Sequence, residues 1–183
     1  MTRADALAIL DEFVKNPNLK KHMLAVEAAM RAYAGKFGGD PDEWGIVGLL
    51  HDFDWEIHPT LEDHPLKGQS ILEQRGVPLN IRHAILAHAP ATGVRPETSM
   101  ERALFASDEI SGFMVAVALM TPHKKLTEVT VESIEKKLKR KDFAAKVNRQ
   151  EIEAGITTLG IPRDQHFQTV LQALQGIHEQ LGL

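Results

Sequence analysis

Apolar residues recur along this chain at steps of three and four almost from end to end. Leu7, Leu10 and Val14 make one series, and Leu19, Met23, Val26, Met30 and Tyr33 make the next. This is the spacing of an apolar stripe on a helix, not the alternation of a half-buried strand. The punctuation agrees with it. Gly38-Gly39 suits a helix C-terminus. Asp40-Pro41 suits an N-cap with proline in the first turn, opening a third helix through Asp52. Phe53 to Asp63, which contains Pro59, predicts a loop. His64-Pro65 predicts the start of a helix ended by Gly76, and Pro78 to His88 predicts another.

Two prolines and a glycine make Ala89 to Glu97 an expected exposed loop. Thr98 or Ser99 can cap a helix running through Asp108, with Met100, Leu104 and Asp108 at steps of four. Phe113–Met120 fits a buried strand or a buried helix by period alone, and with no partner strand in view helix is the expectation. Thr130 to Val147 reads as a charged helix or helix pair. The last helix, about Arg163 to Leu181, carries Phe167, Val170, Leu171, Leu174, Ile177 and Leu181 on one stripe. No hairpin, repeat, low-complexity or linker signal appears. The expected fold is all-α, a single domain over residues 1–183 with a core of about 18–125 and a C-terminal helical extension of about 126–183.

Composition narrows the function. The 43% hydrophobic and 25% charged residues are ordinary for a globular chain. The net charge of −4 argues against a broad nucleic-acid-binding surface. The absence of cysteine excludes disulfides and thiolate metal sites. Acidic residues interrupt the N-terminal stretch where a secretion signal needs an apolar core. The longest apolar run, Phe113 to Met120, is too short to span a bilayer. The expectation is a cytoplasmic protein without nucleic-acid or membrane partners, with the oligomeric state open and a homodimer allowed by base rates.

Against that plain background stand His22, His51-Asp52, His64, His88 and Asp108. These donor types suit a divalent Mn, Fe, Co, Ni or Zn ion. His22 lies three after Leu19 and four before Val26, on the inward stripe of its helix. His51 continues Trp44 and Val47, and Asp108 continues Met100 and Leu104. Any one of them alone reads best as a buried polar residue bonded to backbone. Three helices aiming ligand-type residues at the core is costly unless something satisfies them together, and a metal does.

The ordered set H…HD…H…H…D resembles the HD superfamily of metal-dependent phosphohydrolases. In that family a four-ligand set, here His22, His51, Asp52 and Asp108, holds one ion. Members with two further histidines, matched here by His64 and His88, hold two, with Asp52 bridging. The resemblance implies a binuclear centre whose metal-bound hydroxide attacks the phosphorus of a nucleotide, another small phosphomonoester or a dinucleoside polyphosphate. A leaving alkoxide then needs a proton donor, for which Asp54, His58 and His83 are candidates. His58 and His83 are also candidate substrate contacts. Lys67, one turn into its expected helix, is the candidate phosphate anchor, set against the alternative of a solvated lysine. Glu109 is expected behind a ligand histidine as its orienting partner. His123, His166 and His178 read as structural or solvated.

The basic run of Lys136, Lys137, Lys139, Arg140, Lys141, Lys146 and Arg149 is either a solvated helix face or a lid over an anionic substrate. Its KKLKRKDFA segment and the DEISGF segment are similar to small stand-alone bacterial HD-domain proteins along their whole length. Two departures narrow the activity. APATGVRP stands after His88 where cyclic-dinucleotide hydrolases carry a GYP-containing loop. HDFDWE places Trp55 where alarmone hydrolases carry the Glu of HDxxED. The alternatives are a diiron oxygenase, compatible with the same six ligands, and a non-catalytic nucleotide-binding regulatory module, which the complete ligand set disfavours.

Overall fold

A computed structural model describes all 183 residues as ten α-helices with two short 3-10 turns and no strand. The helices are α1 (Arg3–Phe13), α2 (Pro17–Phe37), α3 (Pro41–Leu50), α4 (Gly68–Gln74) and α5 (Leu79–Ala87). They continue with α6 (Ser99–Ala118), α7 (Val131–Leu138), α8 (Arg149–Leu159), α9 (Arg163–Gly176) and α10 (His178–Leu181). No helix is long and apolar enough to cross a membrane.

The starts of the long helices are chemically specified. Asn16 accepts from the amides of Asn18 and Leu19, Asp40 accepts from Asp42, and Pro17 and Pro41 follow these caps. Thr98 and Glu101 cap each other's amides in a reciprocal box at the start of α6. Each device satisfies amides that a helix start otherwise leaves without partners. Gly38 and Gly160 end α2 and α8 in the left-handed region, where a Cβ is costly.

Helix α2 is the central rod. It packs on α3, α6 and α9, and buries Met23, Val26, Met30 and Tyr33. Helix α3 buries every residue from Trp44 to Leu50. It approaches α2 so closely that a Cβ on Gly48 would lie 2.7 Å from the Glu27 amide nitrogen. Helix α8 meets α6 in the same manner, since a Cβ on Gly155 would lie 2.8 Å from Ala106 Cα. One contiguous apolar cluster runs from Ala6 to Leu181 and takes in residues of α8, α9 and α10.

Some boundaries differ from those the spacing predicts. The ambiguous Phe113–Met120 stretch is helical, and it continues the α6 helix that holds Asp108. Helix α3 ends at Leu50, with His51 as its C-cap. Residues 64–67 form turns, and α4 starts only at Gly68. Residues 131–138 are helical, but 141–146 are turns. Arg149 holds those turns by donating to the carbonyl oxygens of Leu138, Arg140 and Phe143. The last helix breaks at Ile177.

His166 lies in the core, where the Tyr33 hydroxyl donates to Nδ1 and Nε2–H donates to the Ala106 carbonyl at 3.1 Å. Accepting from Tyr33 at Nδ1 needs a neutral ring. Burial lowers its pKa from 6.5 to about 4. Its stabilising contribution is therefore complete above pH 6.5 and is lost as pH falls from there through about 4. Urea denaturation across that window should show a steeper acid-side loss for the wild type than for His166→Gln, and parallel curves would remove this role. Gly155→Val should lower stability by about 1–3 kcal/mol, because overpacking against α6 outweighs the roughly 0.5–1 kcal/mol gained by replacing a helical glycine. An unchanged midpoint in the same denaturation series would show that α6 and α8 separate freely.

Candidate metal centre

Two of the site histidines are placed by helix endings. His51 is the C-cap of α3 and His88 the C-cap of α5. Each turns Nδ1–H back onto a carbonyl three residues earlier, Gly48 for His51 at 2.7 Å and Ile85 for His88. The last carbonyls of a helix lack intrahelical partners, so the same bond satisfies the helix end and fixes the ring. With the proton on Nδ1, a neutral ring presents the Nε2 lone pair forward. His64 is fixed differently. Its Nδ1–H donates to Asp54 Oδ1 at 2.7 Å. Asp54 is fully buried and lies against Gly68, where a Cβ would come within 2.5 Å of Oδ2. That contact explains the glycine of HPLKG.

The forward-facing atoms converge. His22 Nε2 lies 2.9 Å from Asp108 Oδ1 and 3.2 Å from His51 Nε2. Asp52 Oδ2 lies 3.5 Å from His51 Nε2 and 3.7 Å from His22 Nε2. Its other oxygen, Oδ1, lies 3.1 Å from His64 Nε2 and 3.5 Å from His88 Nε2. Two groups with metal-ligand chemistry result, His22–His51–Asp52–Asp108 and Asp52–His64–His88. Asp52 belongs to both, one oxygen to each.

All of these ligands except the fully buried His51 line a cavity of about 370 Å³. Its wall adds Glu109 from α6 and Glu151 from α8, so four carboxylates face it together with His22, His64 and His88, and no lysine or arginine does. Asn148 holds both outer carboxylates. Its amide N–H donates to Glu109 Oε2 at 3.1 Å and its side chain donates to Glu151 Oε1 at 2.6 Å. Burial and then the nearby Asp108 charge push Glu109 up to about 7. Burial likewise raises Glu151. Burial alone would lower His64, but Asp52 and Asp54 outweigh it and hold the imidazole at about 9. Asp52 and Asp108 do the same for His51, and the imidazoles in turn keep both aspartates well below the usual carboxylate range despite burial. Convergent imidazole nitrogens around unbalanced carboxylates are what a divalent cation fits. Protons and cations compete there for the same lone pairs.

The structure thus brings His22, His51, Asp52, His64, His88 and Asp108 together. It does not bring the remaining candidates to the cavity. Lys67 precedes α4 and is exposed, its Nζ paired with Asp63 Oδ2 at 2.9 Å. His83 is half exposed and bonds Glu101 in the α6 capping box. His58 lies outside the cavity lining. Asp54 sits behind His64, accepting from its Nδ1–H, and is not among the residues that line the cavity. Glu109 departs in the opposite direction, since it faces the cavity itself. The basic run also stays off the lining, with Lys137 over the Phe143 ring at 4.8 Å and Arg149 over the Phe113 ring at 5.4 Å. Sequence reasoning missed Glu151 and Asn148. The N-cap pattern of Asn148 before Arg-Gln-Glu was the available signal, because its Oδ1 accepts from the amides of Gln150 and Glu151.

Comparison with curated proteins and with solved structures gives no match. Comparison with family models gives one described as HD domain, over residues 19–159. That span starts at the second helix, ends with the last residue of α8, and contains every residue of the two ligand groups. The chain, with its helical fold and its histidine–aspartate cluster, belongs to the HD-domain family.

Proposed function

We propose that this chain is a binuclear metal-dependent phosphohydrolase that cleaves a phosphate ester of a small molecule. The carrying observation is Asp52, whose two oxygens face separate imidazole pairs, His22 with His51 and His64 with His88. His22, His51, Asp52 and Asp108 would hold one ion, and Asp52, His64 and His88 the other. Bound divalent cations supply Lewis acidity toward phosphoryl oxygens and lower the pKa of water.

The chain's own residues supply the rest. Backbone carbonyls and Asp54 keep the imidazoles in the tautomer that presents Nε2. With no lysine or arginine on the wall, the anionic group of a substrate finds positive charge only at the ligand cluster, which directs it there. Because they line the cavity, Glu109 and Glu151 are in this reading the carboxyls that would serve a leaving group.

Metal content of the purified protein and phosphate release with each metal restored test this reading together. The expected result is near two equivalents per chain. His64→Ala should fall to near one equivalent, and its phosphate release should drop at least about 100-fold. One equivalent in the wild type would make His64 and His88 substrate contacts of a mononuclear enzyme. Two irons with oxygen consumption and no phosphate release would move the assignment to the oxygenase class. Asp54→Asn keeps the shape and removes the charge behind His64. It should weaken the second ion about 10–100-fold in a competitive chelator titration, and wild-type affinity would end the orienting role.

A further inference from the structure

A second and larger cavity, about 710 Å³, lies beside the metal chamber and shares three wall residues with it, His22, Trp55 and Gly112. Its remaining walls differ in character. Leu19 from α2, Val115 from α6, Leu119 at the C-cap of α6, and Pro59 from the turns after α3 give it apolar faces, with Lys21 and Glu56 as its charged residues and Asn16 and Asn18 at its edge. Trp55 links the two chambers, its indole meeting the His64 ring edge-on at a centroid distance of 5.0 Å and an angle of 89°. Glu56 pins the turn that carries it, accepting from the amides of Lys15 at 2.8 Å and Asn16 at 2.6 Å. Gly112 stands at the junction. A Cβ there would come only 3.7 Å from His22 Nδ1, so a longer side chain would project into the passage.

His22 marks the junction in a second way. The other three imidazoles turn Nδ1 onto Gly48, Asp54 or Ile85. His22 is bonded through Nε2 and directs Nδ1 toward Gly112, between the two chambers. The charge contrast completes the picture. The metal chamber is ringed by carboxylates and accommodates negative charge only at its floor, while the second chamber offers one lysine balanced by one glutamate. A second phosphate on the substrate would meet Glu109 or Glu151 on one side and, on the other, a mainly apolar chamber whose single lysine is offset by Glu56.

From this we propose that the two chambers form one bipartite substrate site, an inference that rests on the hydrolase reading. The phosphate of a monoester occupies the metal chamber, and an uncharged aromatic alcohol moiety occupies the second chamber against Trp55. Flat rings stack on an indole face and bury their area on the leucine and valine walls. In the reaction water oxygen bonds to phosphorus, the ester P–O bond breaks, and one water proton ends on the released alcohol oxygen. No electron changes hands. Esters carrying one phosphate and one aromatic ring are preferred over polyphosphates and over small polar esters.

The test uses the metal-loaded full chain and two esters with matched alkoxide leaving groups, 2-phenylethyl phosphate and ethyl phosphate. The expected ratio of kcat/KM is at least tenfold in favour of the aromatic ester. Leu119→Glu alters a residue that is 48% exposed, so folding tolerates it. This variant, and separately Val115→Glu, should cut that ratio at least tenfold, chiefly through KM of the aromatic ester. A wild-type ratio near one, or a ratio that neither variant moves while circular dichroism shows intact helix, overturns the bipartite site and leaves the hydrolase reading standing. Phosphate release from nucleotides but from neither ester overturns the bipartite site alone, and release from none of them with any metal overturns both.

Discussion

The structure turns on one carboxylate with two faces. Asp52 follows the last residues of α3 and sends its oxygens to different partners, so everything else in the centre is arranged on one side of it or the other. That arrangement is strained electrostatically unless positive charge resides between the ligands, because imidazole nitrogens 3.2 Å and 3.4 Å apart otherwise turn lone pairs upon each other or compete for protons. The helices bring these groups together at the cost of burying them. The backbone carbonyls and Asp54 offset part of that cost by satisfying the Nδ1–H of His51, His64 and His88.

The scaffold serves this geometry through close helix approaches. Gly48 lets α3 sit against the α2 backbone one turn before His51, and Gly155 lets α8 sit against α6 one turn after Glu151. Apolar burial supplies the driving force, but it is non-directional. The glycines and the caps decide where along each contact the helices stop. Asn148 shows the economy of the second case. One side chain caps α8 through its Oδ1 and holds Glu151 through its Nδ2, while its amide holds Glu109.

Much of this was legible in the sequence, because the ligands lie on the same periodic stripes that make the core. His22, His51 and Asp108 each continue an apolar series, so a 3.6-residue period carries both fold and site. The all-α class and those three ligands follow from that, whereas Asp52, His64 and His88 were expected from the resemblance of the ordered H…HD…H…H…D set. What stayed hidden depends on segments without a period. Lys67 was placed on a helix because Pro65 resembles a helix start, whereas the chain spends residues 64–67 in turns to set His64 over Asp54. His83 has the right chemistry, yet it lies five residues before His88 and therefore faces elsewhere, toward Glu101. Glu151 is remote in sequence from every motif and reaches the cavity only through the α6–α8 contact, which no local pattern encodes.

The helix-ending histidines carry a constraint on length as well as composition. His51 and His88 each bond a carbonyl of their own helix, so their positions are counted from within that helix and not from the loop that follows. Removing one residue from α3 would turn His51 by about 100° and draw it back about 1.5 Å along the axis. No adjustment of the turns at 51–67 could restore both its aim and its carbonyl. Insertions and deletions are therefore tolerable in the connecting turns and intolerable inside α3 and α5, even at positions where any apolar side chain would pack.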